Sequence, residues 1–295
     1  GGAGAGRRAG AAARAQGGLV SGDASAELLR HLLAQRYGHE VEVPEGVAGL
    51  PELLHIAGQS SHRAWSAAPV APELVKLLAA CALAAPSKSF LQQADIIDVR
   101  DAARRAAIHA LVPGMPWMAD APALLVFCAN GRRFKHLFER RGRPFTNDHL
   151  DGFFNPSVDA ALVMMNFINA AGAAGLVGCP ISMIRNAPER LAEILELPPR
   201  VVPVAGLCLG FPAQARQVNP RLPLAATFHV DGIGTPDDDA AIDDFDRRYV
   251  AARRAVLPPG AAAPRAWSDE RADQYAQPQR ADWGTFVRSM DFDLS

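Results

Sequence analysis

Three separated stretches of the chain carry the residues best suited to hold an anionic, flat, polar-edged ligand. They are Ser60-Ser61-His62-Arg63-Ala64-Trp65, then Ala85-Pro86-Ser87-Lys88-Ser89-Phe90-Leu91-Gln92, then Gly206-Leu207-Cys208-Leu209-Gly210-Phe211-Pro212 with Asn219-Pro220-Arg221-Leu222-Pro223 downstream. Arg63 and Arg221 are forked donors that can grip a phosphate, and the hydroxyls of Ser61, Ser87 and Ser89 can donate to phosphate or sugar-alcohol oxygens. Neither a Walker loop nor a GxGxxG fingerprint occurs, so a phosphate is not cradled in either of those ways. Taken alone, Arg63 reads more readily as a surface ion-pair residue and Arg221 as a solvated loop charge, and the serines of the second stretch could simply satisfy a helix end. His62, beside a basic residue and with no carboxylate near it in sequence, reads as structural.

The elements that must position these stretches follow from periodicity. Leucines at 28, 29, 32 and 33 mark a helix over about 26–36, with Gly38 behind it. Pro72 opens a second helix, with Leu74, Leu77, Leu78, Cys81 and Ala85 on one face and Pro86 as its stop. Strands are expected at Ile96–Val99, Leu124–Cys128 and Val201–Leu209, with a helix from about Asp101 to Leu111. Asn155-Pro156 reads as a helix start leading through VDAALVMMNFINAAGAAG to about Gly172. That helix is apolar almost all round, so it belongs at a domain centre or between subunits. Asn186 with Glu189 reads as a capping-box start for a helix ending before Pro198-Pro199. Alternating strands and helices without an internal repeat indicate a layered α+β or α/β domain.

Composition narrows the function classes. A formal charge of -1 over 295 residues provides no field to gather nucleic acid or anionic lipid. The four cysteines, Cys81, Cys128, Cys179 and Cys208, sit singly in apolar runs and read as buried, reduced thiols rather than metal ligands. No apolar run is long enough to span a bilayer and the Ala/Gly/Arg-rich start lacks a signal-peptide core, so a cytoplasmic location is expected. The expected organisation is a low-complexity tail over 1–24, a helical extension over 25–57, a ligand-binding core over 58–230 and a C-terminal extension over 231–295.

From about Gly58 to His229 these segments resemble, in order and spacing, the oxygen-insensitive nitroreductase and flavin reductase family, most closely its NADPH-preferring branch. GLCLGFP followed by NPRLP is the most specific part. The resemblance implies an α+β sandwich in an intertwined homodimer, with FMN at the subunit interface beside the long apolar helix. It implies ping-pong turnover, in which NADPH (or NADH) reduces FMN and a small organic acceptor then replaces the nicotinamide. The cofactor carries the chemistry, so no side chain is expected as a general acid or base.

Carried over by position, the resemblance assigns Arg63 and Arg221 to the FMN phosphate, Ser61 and its neighbour His62 to the same segment, and Ser87, Lys88, Ser89, Phe90 and Gln92 to a loop beside the flavin. Gly178 to Met183, with Pro180, Ile181, Ser182 and Met183, would run along the isoalloxazine. On the acceptor side stand Met115, Arg185, Phe145 and Phe154, with Arg265 close to a position used for the nicotinamide 2'-phosphate. The chain departs from the family in having Ser60 for an arginine, Ser182-Met183 for a Gly-Gly pair, Met115 for a glutamine and Asn219 for a lysine. The basic run Arg132, Arg133, Lys135, His136, Arg140, Arg141 and Arg143 is either a solvated helix face or a lid over the flavin. Two other readings stay open: an FMN enzyme doing different chemistry (flavin fragmentation, dehalogenation or a tailoring oxidation), and a flavin-binding protein without catalysis. A visible spectrum separates the second from the enzymes.

Overall fold

Residues 123–130, ALLVFCAN, are almost wholly apolar and are buried at every position, the mark of a strand covered on both faces. The computed structural model describes residues 22–215 and 217–295. The strands are β1 (Ala94–Asp98), β2 (Ala123–Asn130), β3 (Val177–Ile181) and β4 (Val201–Gly210). They form one antiparallel sheet in the order β1-β2-β4-β3. The helices are α1 (Gly22–Tyr37), α2 (Leu50–Ala57), α3 (Pro72–Ala82), α4 (Ala102–Ala110), α5 (Arg132–Arg140), α6 (Leu150–Ala173), α7 (Pro188–Leu195), α8 (Asp238–Arg254), α9 (Trp267–Tyr275) and α10 (Trp283–Ser289). This is the expected α+β layering. No helix among the described residues is long and apolar enough to cross a membrane.

Alternation along the strands explains the layers. Leu125, Phe127, Leu207 and Leu209 pack with Val75 and Leu78 of α3 and with Ala160, Val163 and Phe167 of α6. On the other face Leu124, Val126, Cys128 and Cys208 pack with Ile108 of α4 and Leu191 and Leu195 of α7. Phe286 and Val287 of α10, with Phe292, cover Ala129 and Val202 near one end of the sheet.

The chain divides into two compact units, one of residues 59–217 and 263–295, the other of 218–262 with the described residues up to Gly58. The sheet lies wholly in the larger unit. The part of the sequence expected as a C-terminal extension is thus shared between them. The expected tail over 1–24 lies outside the described residues up to 21, and α1 takes in 22–24. In the smaller unit Leu29, Val43 and Ala57 form a core. Beside it the buried Arg36 donates to the carbonyls of Ala57 (2.5 Å) and Asn219 (3.2 Å), and its own carbonyl accepts from the Arg221 amide (2.6 Å) and Arg248 (3.0 Å). Burial, then the neighbouring Arg221, lowers the Arg36 pKa.

Several sequence expectations need correction. The long helix starts at Leu150, not at Asn155, and Pro156 lies inside it. The preceding turn is held from outside: Arg200 pairs with Asp148 (2.6 Å), the Leu150 amide donates to Ser295, and His149 caps the Asp151 amide. That anchoring lets the helix begin early and absorb a proline that usually marks a first turn. Asn186 caps nothing; its side-chain oxygen accepts from Arg280 at 2.9 Å, and Ala187 stands at the start of α7 without a side-chain cap. On α3 the buried stripe is Val75, Leu78 and Ala82, which leaves Leu77 and Cys81 exposed. An apolar arc this broad does not select a rotation, and so Cys81 is not a buried thiol. Val177–Ile181, not expected as a strand, is an edge strand whose partner β4 supplies its register.

The C-terminal residues are a clamp. Arg200, 2% exposed, lies over the rings of Phe145 and Phe292 (5.7 and 4.8 Å), and its amide donates to Met290 at 2.7 Å. Lys135 of α5 pairs with Asp291 at 2.8 Å. The hydrogen bond from Lys135, with help from Arg200, lowers the Asp291 pKa. A carboxylate depressed in the folded state stabilises above its unfolded pKa, near 3.9, and loses that contribution as pH falls below it. Wild type should therefore be more stable than Asp291→Asn in urea unfolding at pH 7, and the gap should narrow as pH falls below about 3.9; a gap that widens in acid would refute the pairing.

Candidate functional site

The first stretch is held against the free edge of β3. The His62 amide donates to the Gly178 carbonyl at 3.0 Å, Trp65 forms a bridge with Pro212, and the Trp65 indole donates to the Val177 carbonyl at 3.3 Å. Gly210 of GLCLGFP and Gly178 of the neighbouring β3 are steric requirements. A Cβ on Gly210 would lie 2.7 Å from both Pro122 and Trp65, and one on Gly178 would lie 2.9 Å from Leu207. His62 is buried, and its Nε2 lies 3.2 Å from the Ser60 hydroxyl, so Ser60 has a local partner. Ser61 and Arg63 remain exposed. The Arg63 guanidinium lies 5.7 Å from the Trp117 ring and pairs with no carboxylate among the described residues. Both Ser61 and Arg63 reach the Cys179 thiol; they pull its pKa down, while burial, the larger effect, pushes it up.

The second stretch is organised by a residue that sequence reading missed. Asp159 of α6 is 2% exposed and accepts from the Ser87 hydroxyl (2.7 Å), the Lys88 amide (3.1 Å) and the Gln93 amide (3.3 Å). Ser87 accepts in turn from the Gln92 amide at 2.7 Å, so its hydroxyl is engaged inside the loop. Ser89, Phe90 and Gln92 have φ of 50°, 56° and 52°, a left-handed run costly for residues with side chains. The buried carboxylate offsets that strain and leaves Phe90 90% exposed. The available signal was an aspartate set within the apolar run from Val158 to Met165. A cavity of about 500 Å³ lies beside this loop, with Phe90, Gln92, Asp95 and Arg133 in its wall.

The structure does not bring the two stretches together within one chain. His62 meets Gly178, which pairs through Leu209 with Ala123, whereas Gln93 meets Asn130. Ala123 and Asn130 are the two ends of β2, about 23 Å apart at a rise of about 3.3 Å per residue. Met115, which packs beside Trp117 in the core, goes with the first stretch. Phe145, which shares a cavity wall with Lys88, goes with the second. In β3 the Ile181 side chain is buried, while Pro180 and Ser182 are exposed and Met183 packs on the core. Arg185 donates to the Val204 carbonyl at 2.7 Å and lies over Trp283, and burial lowers its pKa. Arg265 is exposed and paired with Asp273 at 2.7 Å. Phe154 is exposed on α6. Arg221, exposed, belongs to the smaller unit, where its side chain donates to the Pro220 carbonyl at 3.2 Å.

A helix-covered antiparallel sheet with an exposed Ser-x-Arg at its edge and a strained serine loop at its opposite end defines a class of ligand-binding α+β sandwich. The chain belongs to the nitroreductase family, whose model matches residues 56–211. It is 35% identical over 171 residues to an FMN reductase (NAD(P)H) of Bacillus subtilis, covering 57% of this chain and 69% of that protein. It is also 35% identical over 179 residues to the oxygen-insensitive NADPH nitroreductase of Salmonella typhimurium, covering 61% and 73%. Among solved structures, NfrA2 of B. megaterium superposes with a TM-score of 0.78 at 27% identity, covering 83% of this chain and 98% of that one.

If Asp159 holds the loop, Asp159→Ala leaves buried donors unpaired at about 1–3 kcal/mol each. Hydrogen exchange at the Lys88 and Gln93 amides should then quicken by about tenfold or more, with β4 amides little changed. Equal protection in both proteins would show that the loop is held otherwise.

Proposed function

We propose that this chain is an FMN-dependent NAD(P)H oxidoreductase that passes electrons to small organic acceptors such as nitroaromatics, quinones or free flavins. The observation that carries this reading is Arg63: an exposed guanidinium without a carboxylate partner among the described residues, beside Ser61 and over Trp117, at the open edge of β3. This donor set suits a phosphate. Arg63 offers two parallel charge-assisted hydrogen bonds and Ser61 one more. The edge from Pro180 to Met183 leaves a lane for a flat ring, since Pro180 has no amide hydrogen and the Gly178 carbonyl is already taken by His62. When bound, FMN supplies the hydride and electron chemistry that these side chains lack. The chain's residues then bind and orient; none is needed to move a proton. The relatives' names include both NADPH and NAD(P)H, and the preference of this chain is part of what must be measured.

The proposal includes a homodimer in which the strained loop of one protomer completes the site of its partner. Two features support it. The loop and the Ser61–Arg63 edge lie at opposite ends of one sheet, and α6 exposes Phe154, Val158, Leu162 and Met165 along one side. Leu77 and Leu83 of the α3 region are exposed as well, and Asn166 of α6 donates to the Cys81 carbonyl at 3.0 Å, so the apolar surfaces of the two helices adjoin. A patch of this kind is unusual on a monomer.

The purified protein should carry FMN that heat releases intact. Arg63→Ala should bind it about tenfold to hundredfold more weakly, the equivalent of about 1.5–3 kcal/mol for a charge-assisted hydrogen bond, and excess FMN should restore NAD(P)H-dependent turnover. A fluorescence titration giving equal affinities would move the phosphate elsewhere, and failure of the wild type to bind FMN would end the enzyme reading. In sedimentation, wild type should run as a dimer at micromolar concentration and Leu162→Glu as a folded monomer; a stable wild-type monomer would contradict the composite site.

A further inference from the structure

A cavity of about 250 Å³ opens at the N-terminal end of α6, between that helix and α5. Its wall contains an unusual group: Gln93 is 2% exposed, and its side-chain nitrogen is buried without a hydrogen-bond partner. A buried amide N–H left unpaired costs about 1–3 kcal/mol, so it calls for an acceptor. The Gln93 backbone is already committed, its amide to Asp159 and its carbonyl to Asn130.

The remaining wall is rich in donors. Lys88 brings an ammonium with no carboxylate partner among the described residues, and Asn147 and Asn155 bring amides. The 24-residue α6 directs its positive end at the space. Asp151, exposed in the first turn, is the one carboxylate in the lining. Phe134 and Phe145, whose rings meet edge-on at 5.3 Å, form the apolar side. The volume lies below the roughly 300–1,000 Å³ of drug-sized pockets, which fits a ligand of one ring.

We propose that this cavity is a binding site for a small aryl carboxylate, its carboxylate oxygens accepting from Gln93 and Lys88 and its ring lying against Phe134 and Phe145. A tetrahedral oxyanion would satisfy the donors but leave the aromatic wall unused. Asp159 places Lys88 and Gln93 at the cavity, and Arg200 with Asp148 braces its far side. The site shares Lys88 with the loop proposed to face a partner's flavin, whereas Gln93 and Asn155, the residues varied below, have no part in that reading.

Calorimetric titration of the full chain with benzoate tests it, with bound flavin read from the visible spectrum of the same samples. Saturable binding of one benzoate per chain is expected, tighter than that of inorganic phosphate, weakened about tenfold by Gln93→Leu and likewise by Asn155→Leu, and unchanged by Arg63→Ala. No saturable binding to the wild type, binding no tighter than that of phosphate, or binding lost in Arg63→Ala but kept in both cavity variants would overturn the proposal. Flavin content unaffected in the cavity variants keeps a failure here distinct from a failure of the FMN reading.

Discussion

A 24-residue helix that is apolar on opposite sides sets the terms for this molecule. One side of α6, with Ala160, Val163, Phe167 and Ala171, is buried against the sheet and α3, and Phe167 meets Phe127 edge-on at 5.7 Å. The other side carries Phe154, Val158, Leu162 and Met165 into solvent in the single chain. Burial of each such side chain contributes about 1.5–3 kcal/mol, so the uncovered side is a strong drive toward association. The same helix bears Asp159, which shapes the serine loop. Core, proposed interface and loop geometry therefore share one element.

The sheet imposes a second constraint. Since β2 is one fully buried strand, the segments attached to its two ends lie about 23 Å apart. In the proposed site a flavin at the Ser61–Arg63 edge stands at the other end of the sheet from its own chain's strained loop. In the proposed dimer, two copies joined through α6 bring one protomer's loop to its partner's edge and give a use to Phe90, exposed and held at a costly backbone angle.

Much of this was legible in the sequence. The β2 and β4 strands announced themselves as continuous apolar runs, and GLCLGFP pointed to the family, its Gly210 standing where Trp65 and Pro122 leave no room for a side chain. Other features were not legible, for identifiable reasons. The start of α6 depends on Arg200 and Ser295, distant in sequence, so the local Asn155-Pro156 signal misled. The rotation of α3 depends on which of several apolar arcs the sheet accepts. Asp159, Gln93 and Trp117 gain their roles only from neighbours that folding brings to them. That Arg63 and Ser87 belong to opposite ends of the sheet follows from strand order, which no spacing along the chain encodes.

The composite site is tested most directly by complementation between Arg63→Ala and Phe90→Asp, since Phe90 is exposed and its replacement need not disturb the fold. Each variant alone should retain little FMN at micromolar protein. Co-expressed with different tags and purified as the mixed dimer, the pair should regain one tightly bound FMN per dimer, because one of its two sites is then free of both substitutions. A mixed dimer that holds no more flavin than the parents would show that each site is built within a single chain, contrary to the separation of its two halves along β2.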